Sequence, residues 1–233
     1  MHRRGVMRLA AAGAGGALVS PVAGALCLLD ARIDVTNDGS GQCSAWGDQS
    51  GSGNNATQPT PGARPQIGVT TIGGQAALKF LSGDCMFVSG ISTTGADHTV
   101  LCVIKQPTPT SSTRKIFDAS LGRYELLVDS AIGQHRVYTL GGSTGLGGVT
   151  SGDQSLAFVN AGTTCSAYRG GAFLASATIT AKSLGGTSAI GANYIASGAY
   201  LQGSVAFFAV YDWALSAPEI AQMAAYTAQE WGV

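Results

Sequence analysis

Charged residues are scarce in this sequence, and their scarcity removes a class of partner. Only 11% of the 233 residues are charged, the formal net charge is zero, and the pI is about 6.8. Beyond the first ten positions no run of Arg and Lys is interleaved with aromatic residues, so there is no basic stripe for phosphate contacts. We therefore expect no nucleic-acid partner.

The groups that usually carry catalysis are also few and scattered. Of the three histidines, His98 and His135 fall on predicted strands, where we expect surface or edge positions. The string Gly141-Gly-Ser-Thr-Gly145 matches a nucleophile elbow, but another glycine-rich run follows it where the elbow needs a helix. No phosphate loop or dinucleotide fingerprint is present. The sequence thus predicts a protein that is not an enzyme.

The five cysteines form no recognisable framework. They are odd in number, widely spaced and without a C-x-x-C pair, which gives neither a zinc pattern nor a disulfide ladder. Most stand in apolar surroundings such as Leu101-Cys102-Val103. We interpret them as small buried hydrophobic residues of a protein assembled in a reducing compartment.

Glycine is abundant: 34 residues, about twice its usual share of roughly 7%. Short apolar segments recur about every ten residues between Gly-, Ser-, Asn- and Asp-bearing turns, which is typical of a β-sandwich or barrel. The predicted strands are 25–31, 75–80, 85–88, 98–105, 115–118, 124–129, 135–140, 155–159, 165–168, 173–180 and 200–211.

The C-terminal segment has a helical pattern instead. Ser216 and Glu219 form an S-x-x-E capping box with a proline in the first turn. Apolar residues then recur at helical spacing as far as Trp231, which we expect to pack the helix against the sandwich.

Residues 1–24 read as a basic start followed by an Ala/Gly-rich stretch, which has two interpretations. In the first, Arg3, Arg4 and Arg8 pair with acidic groups of a neighbouring subunit and the segment is an assembly arm. In the second, it is a secretory signal removed near Ala25. The stretch is too rich in glycine, and broken by Pro21, to predict a transmembrane segment.

Two motifs resemble the laminin-G-like branch of the concanavalin A-like jelly rolls. The first runs from Trp46 to Gln58, and the second from Gly203 through the terminal helix to Gly232. The resemblance, over about residues 25–233, implies one all-β domain, a two-sheet antiparallel jelly-roll sandwich with a short C-terminal α-helix. The motif residues are Trp46, Asp48, Gly51, Gly53, Asn54, Asn55, Trp213, Ser216, Glu219 and Trp231.

The first motif also has a physical interpretation of its own. Short polar side chains such as Asp48 and Asn54 bond back to nearby backbone and stabilise a tight turn, and glycines permit its path. We interpret the motif chiefly as a structural loop, with a ligand or calcium role for Asp48 or Asn54 as the alternative.

Glucanases similar to this fold carry Glu-x-Asp-x-x-Glu on one strand, and this chain departs from that pattern. Its three glutamates are Glu125, Glu219 and Glu230, and the two positions that would complete a motif begun at Glu125 hold Leu127 and Ser130. Glycoside hydrolysis needs two carboxylates placed across the scissile bond, so the departure argues against it.

No organic cofactor is indicated, and calcium is the one candidate ion. It prefers oxygen ligands at loop edges, and jelly rolls similar to this chain often bind it at one rim. Exposed aromatic rings are the candidate platforms for a sugar, and ordinary packing in the sheets is the alternative role of each such tyrosine. The calcium candidates are Asp84, Asp118, Asp153 and Asn193, and the sugar candidates are Tyr138, Tyr168, Tyr194 and Tyr200.

These features favour a surface protein of a virion, either a phage capsid decoration or a fibre-type component. The arm would contact other virion proteins, and multiple copies, assembled in the host cytoplasm, would display the jelly roll toward host-surface glycans. The alternative is a secreted bacterial lectin-like adhesion module, released after removal of residues 1–24.

Overall fold

The computed structural model describes residues 20–106, 113–119, 124–129, 131–139, 142–196 and 198–233. Arg3, Arg4 and Arg8 of the predicted arm lie outside these residues. The described strands are β1 Cys27–Asp30, β2 Val35–Asn37, β3 Cys43–Trp46, β4 Ala56–Thr57, β5 Thr71–Ile72, β6 Gln75–Ala76, β7 Leu78–Lys79, β8 Met86–Ser89, β9 His98–Gln106, β10 Thr113–Ala119, β11 Tyr124–Asp129, β12 Gln134–Thr139, β13 Gly142–Gly148, β14 Gly152–Ala161, β15 Thr164–Arg169, β16 Ala172–Thr178, β17 Thr187–Ile190 and β18 Ser204–Tyr211. One α-helix, α1, spans Ala217–Trp231.

The strands form two large antiparallel sheets, as the sequence predicted. The smaller sheet has the order β1-β18-β9-β14-β15-β16, with β7 also pairing β18. The larger sheet has the order β13-β12-β11-β10-β17-β8-β4-β3-β2, and β5 and β6 make a separate hairpin. Hairpins join consecutive strands such as β11 and β12, whereas other neighbours are distant in sequence, as the pairing of β10 with β17 illustrates.

The main core lies between the two sheets because alternate side chains of each strand point inward. Trp46 and Tyr124 have no exposed surface, and the rings of Phe117 and Phe208 meet across the layers with centroids 5.3 Å apart. Five strands of the larger sheet are missing from the predicted ranges. Three are short, namely β2, β3 and β4, and the other two are β13, whose glycine-rich sequence indicated a turn, and β17, which follows the Gly185-Gly186 turn.

A second core lies on the outer face of the smaller sheet, where α1 packs. Ile220, Met223 and Trp231 of the helix contact strand residues that include Phe207, whose ring centroid is 5.3 Å from that of Trp231. Because this sheet is covered on both faces, β18 is buried at all eight positions and reads as a continuous apolar run.

The segment before β1 belongs to this second core. Ser20 and Val22 are buried, and the hydroxyl of Tyr211 lies 2.9 Å from Ser20 Oγ and donates to the Val22 carbonyl at 3.2 Å. The folded part of the chain therefore begins before Ala25, earlier than the predicted boundary after residue 24.

The polar interior corrects one prediction and confirms another. His98 and His135 have no exposed surface, so the expectation of surface or edge positions is wrong. Both rings point between the sheets, where Asn160 Nδ2 lies 3.0 Å from His98 Nε2 and Gln106 Oε1 lies 3.2 Å from His135 Nε2. All five cysteines are buried and free, as predicted. Within the described part of the chain, no helix is long and apolar enough to cross a membrane.

Candidate functional site

Both carboxylate oxygens of Asp48 accept hydrogen bonds from residues of this chain. They accept hydrogen bonds from the backbone N–H groups of Leu28, Ser50 and Asn54 at 2.8–2.9 Å and from Ser50 Oγ at 2.7 Å. Strand β1 is an edge strand of the smaller sheet, and the Leu28 N–H that donates to Asp48 belongs to it. The loop that contains Asp48 therefore covers this edge of the sheet. This geometry leaves no oxygen of Asp48 for a ligand.

The other residues of the first motif support the same loop. Asn54 Nδ2 donates to the Leu26 carbonyl at 2.7 Å, and Asn55 Oδ1 accepts from the Asp48 N–H at 2.8 Å. Gly51 and Gly53 have φ values of 87° and 76°, in the left-handed region that favours glycine.

The second motif joins the last strand to α1. Thr99 Oγ1 donates to the Trp213 carbonyl at 3.0 Å, and the Ser216 N–H donates to Glu219 Oε2 at 2.8 Å in a capping box. At the far end, the guanidinium of Arg32 lies 4.3 Å from the Trp231 ring centroid. These contacts fix the helix on the sheet.

The four calcium candidates are not brought together. Asp84 accepts from the Leu81 N–H in a turn, and Asp153 pairs with Lys105 on the smaller sheet. Asp118 is on the larger sheet, and Asn193 lies in the segment beside it. No group of three or more metal-ligating His, Cys, Asp or Glu side chains occurs among the described residues.

The four tyrosine candidates divide between two faces. Tyr168 packs beside Phe173 in the outer layer of the smaller sheet, with ring centroids 5.7 Å apart. Tyr138 lies on β12 of the larger sheet, and Tyr194 and Tyr200 lie in the segment 191–203 that follows β17. The Tyr194 N–H donates to Asp118 Oδ2 at 3.3 Å, so a sugar candidate and a metal candidate meet there.

The register of the larger sheet aligns polar side chains in one row on its outer face. Asp118 is directly opposite Glu125 on β11, Glu125 is opposite Tyr138 on β12, and Tyr138 is opposite Ser143 on β13. Directly opposite residues have Cβ atoms about 5 Å apart. Their chain neighbours Phe117, Tyr124, Leu126 and Val137 point into the core, which places the row on the outer face.

Lys115 links the two carboxylates of this row. Its ammonium lies 2.8 Å from Asp118 Oδ2 and 2.9 Å from Glu125 Oε2. Burial lowers the pKa of Lys115, but the hydrogen bonds and charges of the two carboxylates outweigh it, and the net pKa is raised. The lysine is therefore charged at neutral pH and holds both carboxylates in place.

A second ion pair flanks the first. Arg136 Nη1 donates to Asp129 Oδ2 at 2.7 Å, and Nη2 donates to both oxygens of Ser143. Leu127 lies between Lys115 and Arg136 in the register and is 7% exposed. The two cations therefore flank this leucine across the three strands.

One acceptor in this arrangement has no partner. Asp118 is 1% exposed, and its Oδ1 accepts no hydrogen bond. A buried acceptor without a donor costs free energy, so the site is incomplete as it stands. The adjoining described residues, 191–196 and 198–203, also carry strain, since Ala196, Ala199 and Gln202 have φ values of 50–52°. Such outliers are concentrated at functional sites.

The sequence interpretation missed Lys115, Glu125 and Arg136 as neighbours of Asp118 and Tyr138. Their one local signal is the alternation of charged and apolar residues along β10, β11 and β12. That alternation marks a solvent-facing side of a strand but does not say which strands are adjacent.

The sequence profile of Laminin_G_3, described as the concanavalin A-like lectin/glucanases superfamily, matches residues 82–221. No curated protein matches the sequence. Among solved structures, the fold is similar to Trypanosoma rangeli sialidase in complex with sialic acid, with a TM-score of 0.65 and 16% identity over 95% of this chain and 35% of that one.

Botulinum neurotoxin domains have a similar fold. The serotype D binding domain gives a TM-score of 0.63 and 15% identity over 87% of this chain and 51% of that chain. The serotype D ligand-binding domain in complex with N-acetylneuraminic acid gives 0.61 and 15% over 87% and 50%. This chain thus spans about a third of the sialidase and half of the toxin domains, and at these identities the likeness is one of fold.

Proposed function

Because the chain belongs to the concanavalin A-like lectin/glucanases superfamily, we propose that it is a carbohydrate-binding protein whose ligand lies on the outer face of the larger sheet. The observation that carries the proposal is the row of Asp118, Glu125 and Tyr138, with Tyr194 at its border. Carboxylates accept hydrogen bonds from sugar hydroxyls, and a tyrosine ring offers an apolar platform for a sugar face.

Two structures of similar fold support a saccharide as the ligand. The sialidase was solved with sialic acid and the toxin domain with N-acetylneuraminic acid. In this chain Glu125 and Arg136 are partly exposed on the outer face of the larger sheet. A polar face of this kind suits weak contacts that become useful when many copies bind together.

We propose no catalytic step at this site. In glycosidases, the two carboxyl groups flank the scissile bond and leave the space between them for sugar or water. Here the ammonium of Lys115 occupies the space between Asp118 and Glu125. His98 and His135 lie in the core and do not reach the outer face. Incubation with oligosaccharides should release no reducing ends, and turnover lost in Glu125→Gln would refute this expectation.

The biological setting we propose is a virion surface, with secretion as the alternative. Five buried, reduced cysteines suit assembly in a host cytoplasm. Cleavage near Ala25 would remove Ser20 and Val22 from the second core, which disfavours that version of the secretion hypothesis. N-terminal sequencing of the mature protein tests the choice, since a start near Ala25 would contradict an assembly arm.

Binding should depend on Tyr138. We expect Tyr138→Ala to weaken binding on a glycan array about tenfold or more, because an aromatic stacking contact contributes about 1–3 kcal/mol. Phe173→Ala is the matched control, since Phe173 is an exposed aromatic residue of the smaller sheet, 58% accessible. Equal loss in both variants, or no glycan bound by the native protein, would contradict the proposed site.

A further inference from the structure

The charges of the outer face indicate which class of glycan fits. Lys115 is shared by two carboxylates, and Arg136 is paired with Asp129. Each cation of this cluster thus already has an anionic partner within 2.9 Å. The cluster holds three carboxylates and two cations, so its net charge is negative and opposes an incoming anion, and its cationic donor without an acceptor, Arg136 Nε, is buried.

The unpartnered atom requires a donor. Asp118 Oδ1 is a carboxylate oxygen, and such an atom can only accept a hydrogen bond when the group is ionised. A hydroxyl or amide of a ligand satisfies it, whereas a ligand carboxylate has no proton to give and adds like-charge repulsion. The atom therefore favours a ligand that presents a hydroxyl or amide donor at this position over one that presents a carboxylate there.

Access to Asp118 Oδ1 requires a small local movement. The Tyr194 N–H holds Asp118 Oδ2 by a bond of 3.3 Å, at the long end of the usual range. Among the described residues that follow, Ala196, Ala199 and Gln202 are in the left-handed region, which lowers the cost of a rearrangement there. Release of the Tyr194 bond would let the carboxylate turn toward a ligand hydroxyl.

We propose that this face binds neutral glycans in preference to sialylated ones. The inference rests on the proposed function and narrows its ligand to one chemical class. It differs from what the ligands of the similar sialidase and toxin structures would suggest, because the selection comes from this chain's own charges. Like charges in a partly desolvated site repel strongly, so the preference should be at least tenfold.

The test compares matched glycans on the full chain. N-acetyllactosamine and its sialylated form are titrated against the native protein and against Glu125→Gln, which keeps shape and removes one negative charge. We expect the native protein to bind the neutral glycan at least tenfold more tightly and Glu125→Gln to reduce that ratio several-fold. A native ratio near one, or tighter binding of the sialylated form, would overturn the inference while leaving carbohydrate binding intact.

Two further measurements separate the possible failures. If neither glycan of the pair binds, a wider array is probed with other neutral and sialylated pairs, and a complete absence of binding refutes the proposed function together with this inference. Asp118→Asn should lose neutral-glycan binding at least tenfold; because it also removes one charge of the ion pair with Lys115, circular dichroism establishes first that the variant is folded. Retained binding in a folded Asp118→Asn protein would refute the role of the unpartnered oxygen.

Discussion

Lowering the pH from 8 to 5 should destabilise this protein through its two buried histidines. Desolvation is the main cause that lowers the pKa of His98 to about 4, against an opposing effect of the Ala96 backbone and of Asp97 and Asp212. Desolvation, with the nearby charge of Arg169, lowers the pKa of His135 to about 4 as well. Both rings lie in the core without exposed surface.

The direction of this pH effect on stability follows from the protons that each state binds. In the unfolded chain each histidine has a pKa of about 6.5, so between pH 6.5 and 4 the unfolded state binds more protons and stability falls as the pH falls. At pH 5 the loss relative to pH 8 is about 2 kcal/mol for each histidine, or about 4 kcal/mol together. That is a large share of the roughly 5–15 kcal/mol by which domains are stable.

Urea unfolding at pH 8, 6.5 and 5 measures the effect. We expect nearly two protons to be taken up per molecule on unfolding near pH 5, which corresponds to about 2.5 kcal/mol per pH unit. His98→Gln and His135→Gln should each remove about half of that slope, provided that the variants remain folded at pH 8. A native free energy of unfolding that is equal at pH 8 and pH 5 would refute the reasoning.

Three other perturbations have defined outcomes. A chain starting at Ala25 should lose about 3 kcal/mol of unfolding free energy relative to one starting at Ser20, because apolar burial is lost and the Tyr211 hydroxyl keeps only Met223 Sδ of its three partners; equal thermal transitions would contradict this. Asp48→Ala should lower the free energy of unfolding in urea by about 2–4 kcal/mol, because several backbone N–H groups lose their acceptor. The control Asp153→Ala removes an exposed ion pair and should lower it by less than about 1 kcal/mol. Similar losses in the two variants would contradict the role of Asp48 in stabilising the loop. The five thiols should resist alkylation at pH 8 until the protein is unfolded, because burial raises their pKa values; rapid native labelling would contradict their burial.

Local sequence alone was sufficient for the sandwich class and for the terminal helix. Apolar alternation and turn residues act over a few positions, so the strands from β8 to β12 could be predicted closely. The Ser216–Glu219 box likewise lies within one turn of α1. Such signals need no knowledge of what packs on them.

Strand β13 could not be predicted from its local sequence. Its glycine-rich sequence has the composition of a turn, yet it pairs with β12 along most of its length. Glycine is disfavoured in strands on its own, and the neighbouring strand supplies the pairing that overrides this preference.

The candidate site was decided by tertiary structure. Asp118 and Tyr194 are 76 positions apart, and Glu125 and Tyr138 face each other only because β11 pairs β12 in one register. A shift of that register by one residue would turn each of these side chains into the core. The sequence by itself therefore determined which segments form strands, whereas the pairing of distant strands determined which charges and rings share a face.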